Sequence, residues 1–344
     1  MYWGAALHRA GALDEARVAY EAGLAAQQEL LGDAHLEVAQ TLNNLGTLES
    51  RRGDFAGSID AHRRALEIRE RALGPDHPDV ATSLNNLGVT YLAHGDFAEA
   101  LPRLRRALEI RERALDPTHD AIASARNNLG TVYMHLGEPE AALAAYQAAL
   151  AGRPDDLTTA TTLNNLGYFY VEQGDHLAAE PPLRRAAAIT ERLQGADHPD
   201  LINTLNNLGR ALRGQGRCDE AVDPHARALA IHEARGVGRD ETTAGILAEL
   251  AAALRCAGRL DEARAAYARA LALPALAGEP TRLRLGALSG LGRVELDLGD
   301  LAAADLHLEE ALAVAAALDA DAADLAELRD DRARARAAPR RAGR

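Results

Sequence analysis

Four small-residue positions recur in register through eight copies along this chain, and that period limits its fold more than any other feature. The first position is Gly4, Gly46, Gly88, Gly130, Gly167, Gly209, Ala251 and Gly292, with steps of 42, 42, 42, 37, 42, 42 and 41 residues. A glycine follows seven residues later in every copy, from Gly11 to Gly299. Five residues on come Ala16, Ser58, Ala100, Ala142, Ala179, Ala221, Ala263 and Ala304. Seven further stand Gly23, Ala65, Ala107, Ala149, Ala186, Ala228, Ala270 and Ala311. A period of this length marks one supersecondary unit stacked on copies of itself.

The third copy shows what the unit is. Leu84, Leu87 and Tyr91 share one face of a helix, and Gly88 on that face admits a close neighbour. Gly95 ends the helix as a left-handed cap, and Asp96 is placed to cap the next. Ala100, Leu104 and Ala107 then follow helical spacing, and Asp116-Pro117 breaks the run. One such pair of helices cannot bury both apolar faces, whereas a stack of pairs can, leaving a concave side. Units are expected near 1–32, 33–74, 75–116, 117–153, 154–195, 196–237, 238–278 and 279–318, followed by a capping helix and an Arg-rich tail over 319–344. Leu318, Leu325 and Leu328 lie on one side of that last helix, and seven arginines follow from Arg329.

Composition agrees with a helical stack. Apolar residues reach 47%, mostly Ala and Leu, with only 3% aromatic, so the interior is filled by small side chains and close backbone approach. Strand formers are too scattered for a sheet. A net charge of -13 repels nucleic acid and anionic lipid, so neither partner is expected. All 38 basic residues are Arg, which removes the P-loop lysine and every Schiff-base or lysine-base chemistry. Gly286-Ala287-Leu288-Ser289-Gly290 does not match the G-x-S-x-G nucleophile motif. The chain is therefore not expected to be an enzyme or to carry a cofactor.

His35, His77, His119 and His198 recur in the loops. Metal ligands lie about 3–4 Å apart, but stacked helices are about 8–10 Å apart, so these histidines are assigned to loop and cap duty. Cys218 and Cys256 give no C-x-x-C motif and no disulfide framework, which fits a reduced, cytoplasmic setting. The start lacks the features of a signal peptide, and no apolar run approaches membrane-spanning length.

The small-residue pattern resembles the tetratricopeptide repeat. Gly74-Pro75-Asp76-His77-Pro78-Asp79-Val80-Ala81 leading into Leu84-Asn85-Asn86-Leu87, with Ala107-Leu108-Glu109-Ile110-Arg111-Glu112, is similar to the kinesin light chain subtype. The resemblance runs from residue 3 to about 318. It implies an all-α, right-handed α-α superhelix of about eight helix-turn-helix repeats that binds a protein or peptide in its groove. Similar arrays occur in bacterial signalling proteins, appended to kinase or NTPase domains.

Five repeats place an Asn pair in mid-helix, where Asn is a poor helix former: Asn43-Asn44, Asn85-Asn86, Asn127-Asn128, Asn164-Asn165 and Asn206-Asn207. Two readings stand side by side. The amides form a ladder that fixes stacking, or they line the groove and bond a peptide backbone. The resemblance implies that the second Asn of each pair faces the groove. Helical counting from Asn44 places Thr47 and Arg51 on the same face. Counting from Asn207 adds Arg210 and Gly214 with Arg213 beside them, and Arg255 and Arg293 match further on. Arginines there suit bidentate carboxylate recognition, hence an extended, acidic partner. The competing reading has them pair with acids of neighbouring helices. Tyr168 is the lone aromatic expected on this face, with Tyr91, Tyr133 and Tyr170 in the core.

Four departures carry information. Ala151-Gly152-Arg153-Pro154-Asp155 shortens the fourth unit, so its second helix should lose about a turn. Arg126 stands where other copies have Leu, and the last two units lack the Asn pair. The first unit starts at Trp3, half a helix late, which reads as a fragment or as a misassigned start. The tail reads as a solvated segment. The function expected is a non-catalytic interaction scaffold. The alternative is a sensor arm whose kinase, NTPase or DNA-binding domain lies upstream.

Overall fold

A computed structural model describes residues 2–9, 11–236, 240–278 and 280–337. Among these are seventeen α-helices, one 3₁₀ turn at Pro274–Leu276, and no strand. The chain divides into two compact units, Met1–Pro154 and Asp155–Arg344. The first contains the pairs α1 (Tyr2–Arg9) with α2 (Leu13–Leu31), α3 (Leu36–Arg51) with α4 (Phe55–Leu73), α5 (Pro78–His94) with α6 (Phe97–Ala114), and α7 (Asp120–His135) with α8 (Pro139–Leu150). The second contains α9 (Leu157–Glu172) with α10 (His176–Gln194), α11 (Leu201–Gly214) with α12 (Cys218–Ala234), α13 (Glu241–Cys256) with α14 (Leu260–Leu271), α15 (Arg282–Leu298) with α16 (Leu301–Ala317), and a final α17 (Ala322–Ala337). Within each unit every helix packs on the next in sequence. First helices of successive pairs also touch, α3 on α5 on α7 and α9 on α11 on α13 on α15.

The pairing contact follows a rule that the small-residue register only half states. Sixteen residues after the first small position stands a large side chain: Tyr20, His62, Leu104, Tyr146, Leu183, His225, Tyr267 and Leu308. Seven of these lie on the glycine sixteen residues before them. A Cβ on Gly88 would fall 2.7 Å from Leu104 Cγ, one on Gly130 2.7 Å from Tyr146 Cε1, and one on Gly292 2.7 Å from Leu308 Cγ. Gly4, Gly46, Gly167 and Gly209 meet Tyr20, His62, Leu183 and His225 in the same way. The alanines at the third and fourth positions, Ala100 and Ala107 for instance, are wholly buried beside this contact.

Turn and cap residues take the roles read from their positions, with one correction. Gly95 takes φ 92° and ψ 4° at the end of α5, the left-handed cap read from its position. His35, His77, His119 and His198 accept through Nδ1 from the backbone N–H of Glu37, Asp79, Ala121 and Asp200, which is cap duty. Asp54, Asp175 and Asp300 cap α4, α10 and α16. Asp96 does not cap α6. Its carboxylate bonds His94 Nδ1 instead, at 2.8 Å, because the preceding helix ends with that imidazole beside it.

Pairs are tied to one another by buried arginines that the sequence reading passed over. Arg69 of α4 is only 4% exposed and bonds Gln40 Oε1, Ser83 Oγ and the Asp79 carbonyl. Arg111, the counterpart on α6, reaches Asn85 Oδ1 and the Ala121 carbonyl. In the short fourth unit helix α8 stops before this register, and Arg153, which stands there, reaches back to the Thr118 carbonyl and Asp120. α8 has 12 residues against 18 in α6 and 19 in α4, nearer two turns lost than one, and the division between the two compact units falls just after it. Arg126 reaches Glu112 and the Ala148 carbonyl.

Two further expectations need revising. Cys218 and Cys256 form a disulfide, although their 38-residue separation gives no local signal of pairing. The solvated tail is helical as far as Ala337. Arg332 and Arg336 pair with Asp305, Arg334 with Asp331, and Leu328 is buried against the last pair. The remaining tail arginines Arg340, Arg341 and Arg344 lie outside the described residues.

Two predictions follow from the pairing contact. Gly88→Leu drives a side chain into Leu104 and should cost the first unit about 1–3 kcal/mol or more, read as a lowered urea midpoint. The buried histidines give an acid limb. Burial, with Arg69 nearby, pushes His62 down to about 4, and burial with Arg213 and Arg210 pushes His225 down to about 3. Both stay neutral in the folded chain while the unfolded chain takes up a proton below its pKa of about 6.5. Their stability contribution is therefore complete above pH 6.5 and lost on acidification, by about 2 kcal/mol each at pH 5 and about 3 kcal/mol at pH 4. His62→Leu, the residue type at Leu104, should flatten that limb for the first unit in urea titrations run between pH 7 and 4.

Candidate functional site

The Asn pairs are shared between two duties. His62 Nδ1–H donates to Asn43 Oδ1 at 3.2 Å, and His225 Nδ1–H to Asn206 Oδ1 at 2.9 Å. The same Asn43 oxygen accepts from Asn86 Nδ2 of the next pair at 3.0 Å. In the second unit Asn207 Nδ2 donates to Asn164 Oδ1 at 3.1 Å. The ladder therefore runs from the second Asn of one repeat to the first Asn of the repeat before. Asn85 and Asn164 each donate to the amide oxygen of their pair partners Asn86 and Asn165. Asn44 accepts from Gln40, while Asn127 is buried and Asn128 half-buried.

The arginines singled out by helical counting are held by carboxylates. Arg210 pairs with Glu172 at 2.8 Å and lies with Cζ 5.8 Å from the Tyr168 ring centre. Arg213 pairs with Glu249, Arg255 with Asp297, and Arg293 with both Glu327 and Asp331. Each pair joins consecutive first helices, or α15 to α17. Arg51 is exposed at the end of α3, in the first unit. Tyr91 is core, whereas Tyr133 and Tyr170 are only half-buried. Arg105 lies over Tyr133 and bonds its hydroxyl.

In the second unit, nine of the sixteen expected site residues, Asn164, Asn165, Tyr168, Asn206, Asn207, Arg210, Arg213, Arg255 and Arg293, lie on one row of first helices, and two adjoining cavities bring all nine together. The first cavity, about 690 Å³, is lined by α9, α11, α13 and the start of α15, with both Asn pairs, Tyr168, Arg210, Arg213 and Glu249. The second, about 710 Å³, takes in Arg255, Arg293, Asp297, Asp324 and Glu327. They share Arg213, Ala252, Tyr267, Arg282 and Gly286. Asn43, Asn44, Arg51, Asn85, Asn86, Asn127 and Asn128 belong to the first compact unit instead.

Two residues at the shared seam were not anticipated. Tyr267, on second helix α14, is 5% exposed, and its hydroxyl has no hydrogen-bond partner among the described residues. Its ring presses on Gly290. Burial raises its pKa, against the pull of Arg213, so at neutral pH it presents an O–H donor. Arg282, the first residue of α15, is exposed and makes no ion pair among the described residues. The signal for Tyr267 was present in the sequence: it is the large residue sixteen after Ala251. Arg282 lies outside the repeat register and carried no such signal. Among the described residues no three His, Cys, Asp or Glu side chains are grouped to hold a metal ion, and no helix is long and apolar enough to cross a membrane.

Tetratricopeptide repeat models match residues 1–70, 49–113, 95–155 and 158–234, and again 243–273. The chain belongs to the tetratricopeptide repeat family, whose members bind other proteins or peptides. Among solved structures it is similar to BtubC (BKLC) from P. vanneervenii, at 25% identity and TM-score 0.55 over 66% of this chain and 93% of that one. A tetratricopeptide repeat protein from Parabacteroides merdae matches at 18% identity and TM-score 0.54, over 86% and 98%. The apo form of RapI matches at 12% identity and TM-score 0.66, over 85% and 80%, a likeness of fold. No curated protein matches.

The two duties of the Asn pair are separable. Asn206→Ala leaves His225 Nδ1–H buried without its acceptor and should cost the second unit about 1–3 kcal/mol. Asn207→Ala removes one partly exposed bond and should cost about 0.5–1.5 kcal/mol. Denaturant titration of the two variants checks the order.

Proposed function

We propose that this protein is a non-catalytic scaffold that binds an extended segment of a partner protein along the first helices of its second unit, with one carboxylate of that segment seated at Arg282 and Tyr267. The observation that carries the reading is Tyr267, a side chain only 5% exposed whose hydroxyl has no partner among the described residues and opens onto the seam of two cavities of peptide-binding size. An O–H donor held on a rigid, mostly buried ring at a cavity wall is preorganised for a ligand oxygen, so bonding one costs little side-chain entropy. Arg282 supplies the matching charge. On the other side of the first cavity the amides of Asn165, Asn203 and Asn207 suit a peptide backbone, which offers an acceptor and a donor at each residue.

The resident ion pairs shape what kind of acid is bound. Arg210, Arg213, Arg255 and Arg293 already face carboxylates, so a run of acidic residues would have to displace Glu249, Asp297 and Glu327 and meet their repulsion. A single carboxylate among neutral residues fits better than a polyacidic stretch.

Selection from a random peptide display library tests this. Selected peptides should carry one conserved Asp, Glu or C-terminal carboxylate and should slow amide exchange in α11, α13 and α15. Arg282→Ala should weaken them about tenfold, the loss of a charged hydrogen bond, and Tyr267→Phe by a smaller factor, with weaker binding as salt rises. Equal affinity for the double variant, with its helical circular dichroism intact, would place recognition elsewhere on the chain.

A further inference from the structure

The Cys218–Cys256 pair lies where the repeat itself brings two registers face to face. Cys218 is the first residue of α12, two after Gly216, and Cys256 is the last of α13, two before Gly258. The same two registers meet in other repeats without cysteine. Phe97, opening α6, stacks on His135, closing α7, with ring centres 4.4 Å apart. His176, opening α10, covers Gly214, closing α11. The separation of 5.5 Å between the Cys218 and Cys256 Cα atoms is thus a property of the stack, and it lies in the range a disulfide requires.

The surroundings suit exchange as well as bonding. Cys256 is exposed and lines the second cavity, whereas Cys218 is half-buried. Cys218 stands in the first turn of a helix, where the backbone N–H groups favour a thiolate, while Cys256 stands at a helix end that disfavours one. A thiolate reductant that reaches exposed Cys256 would therefore expel Cys218 as the better leaving group.

We propose that Cys218 and Cys256 are a thiol–disulfide exchange site, taking small-molecule disulfides and dithiols, which fixes or frees the wall of the cleft at Arg255. In the closing direction the Cys256 thiolate attacks a disulfide RSSR and releases RS⁻, leaving Cys256 as a mixed disulfide. The Cys218 thiolate then attacks the Cys256 sulfur, the protein disulfide forms, and the second RS⁻ leaves. RSSR is reduced to two thiols as the two cysteines are oxidised, and the two cysteine protons pass to solvent or to the released thiolates. Opening by a dithiol runs the same steps backwards. The bond ties the start of α12, just past the turn that ends α11, to the end of α13. Arg213 and Arg255 of those helices line the cavities, so the redox state sets how firmly the two walls are held. The consequence for binding rests on the cleft reading above, but the exchange chemistry does not.

The full-length chain is equilibrated with oxidised or reduced glutathione, or with dithiothreitol, without denaturant, then alkylated and weighed intact. The pair should close in oxidised glutathione, and the dithiol should open it within minutes while the chain stays folded. A pair that never closes, or a bond that yields only after unfolding, overturns the proposal. In oxidised glutathione, Cys218→Ser should collect one glutathione on Cys256, several-fold faster than Cys256→Ser collects one on Cys218. Equal or reversed rates overturn the assigned order of attack. Hydrogen exchange of the closed and open forms reads the effect on the wall. Amides at the end of α13 and the start of α12 should exchange several-fold faster when the bond is open, and unchanged rates overturn the control of the cleft. None of these measurements needs a peptide ligand, so they fail or succeed independently of the binding assay.

Discussion

The close approach of a large side chain to a bare glycine, sixteen residues apart, is the contact on which the rest of this molecule depends. It sets how near the two helices of each pair lie. With that distance set, the alanines at the third and fourth small positions become buried between the two helices. The large residue varies among Leu, Tyr and His because the pocket demands size and reach more than one chemistry. Dispersion and exclusion of water supply the energy in each case. His62 and His225 add a polar duty to the same post, donating to the first Asn of the pair while the rest of the ring replaces Leu.

That geometry also explains why so polar a chain stacks so closely. Several polar groups in the interior are satisfied across repeat boundaries, where each one specifies register. Asn86 bonds Asn43 and Asn207 bonds Asn164, and a slip of one residue would strand both amides. Arg69 and Arg111 extend from second helices onto the next first helices in the same way, bonding backbone carbonyls and side-chain oxygens. These bonds add modestly to net stability, yet leaving any one unmade would cost more, so they discriminate against misaligned stacks.

The row of first helices in the second unit is consequently less cationic than a count of its arginines implies. Carboxylates from adjacent helices face Arg210, Arg213, Arg255 and Arg293, and such bridges hold the guanidinium groups in place while cancelling much of their charge. What stands out against this balanced background is a seam where one guanidinium, Arg282, makes no ion pair among the described residues and lies with one buried phenol, Tyr267, beside a set of amides. Recognition built this way favours shape and a single anchoring group over bulk attraction.

The sequence by itself determined everything that is local or periodic. The helix pairs, the left-handed turn at Gly95, the imidazole caps from His35 to His198 and the shortening of the fourth unit's second helix were legible because each depends on residues within a turn or two, or on a register repeated eight times. Tertiary structure decided the matters that join residues about 30 to 40 positions apart once each. The carboxylate that Arg213 meets, the oxygen that Asn86 finds, the pairing of Cys218 with Cys256 and the placing of Tyr267 at a seam all depend on how neighbouring repeats face one another. The capping that Asp96 gives up to His94, and the arginines of α17 that bind Asp305 where a solvated tail was expected, follow the same logic. A side chain able to bond in several directions takes the partner that packing brings nearest, and a linear pattern does not contain that distance.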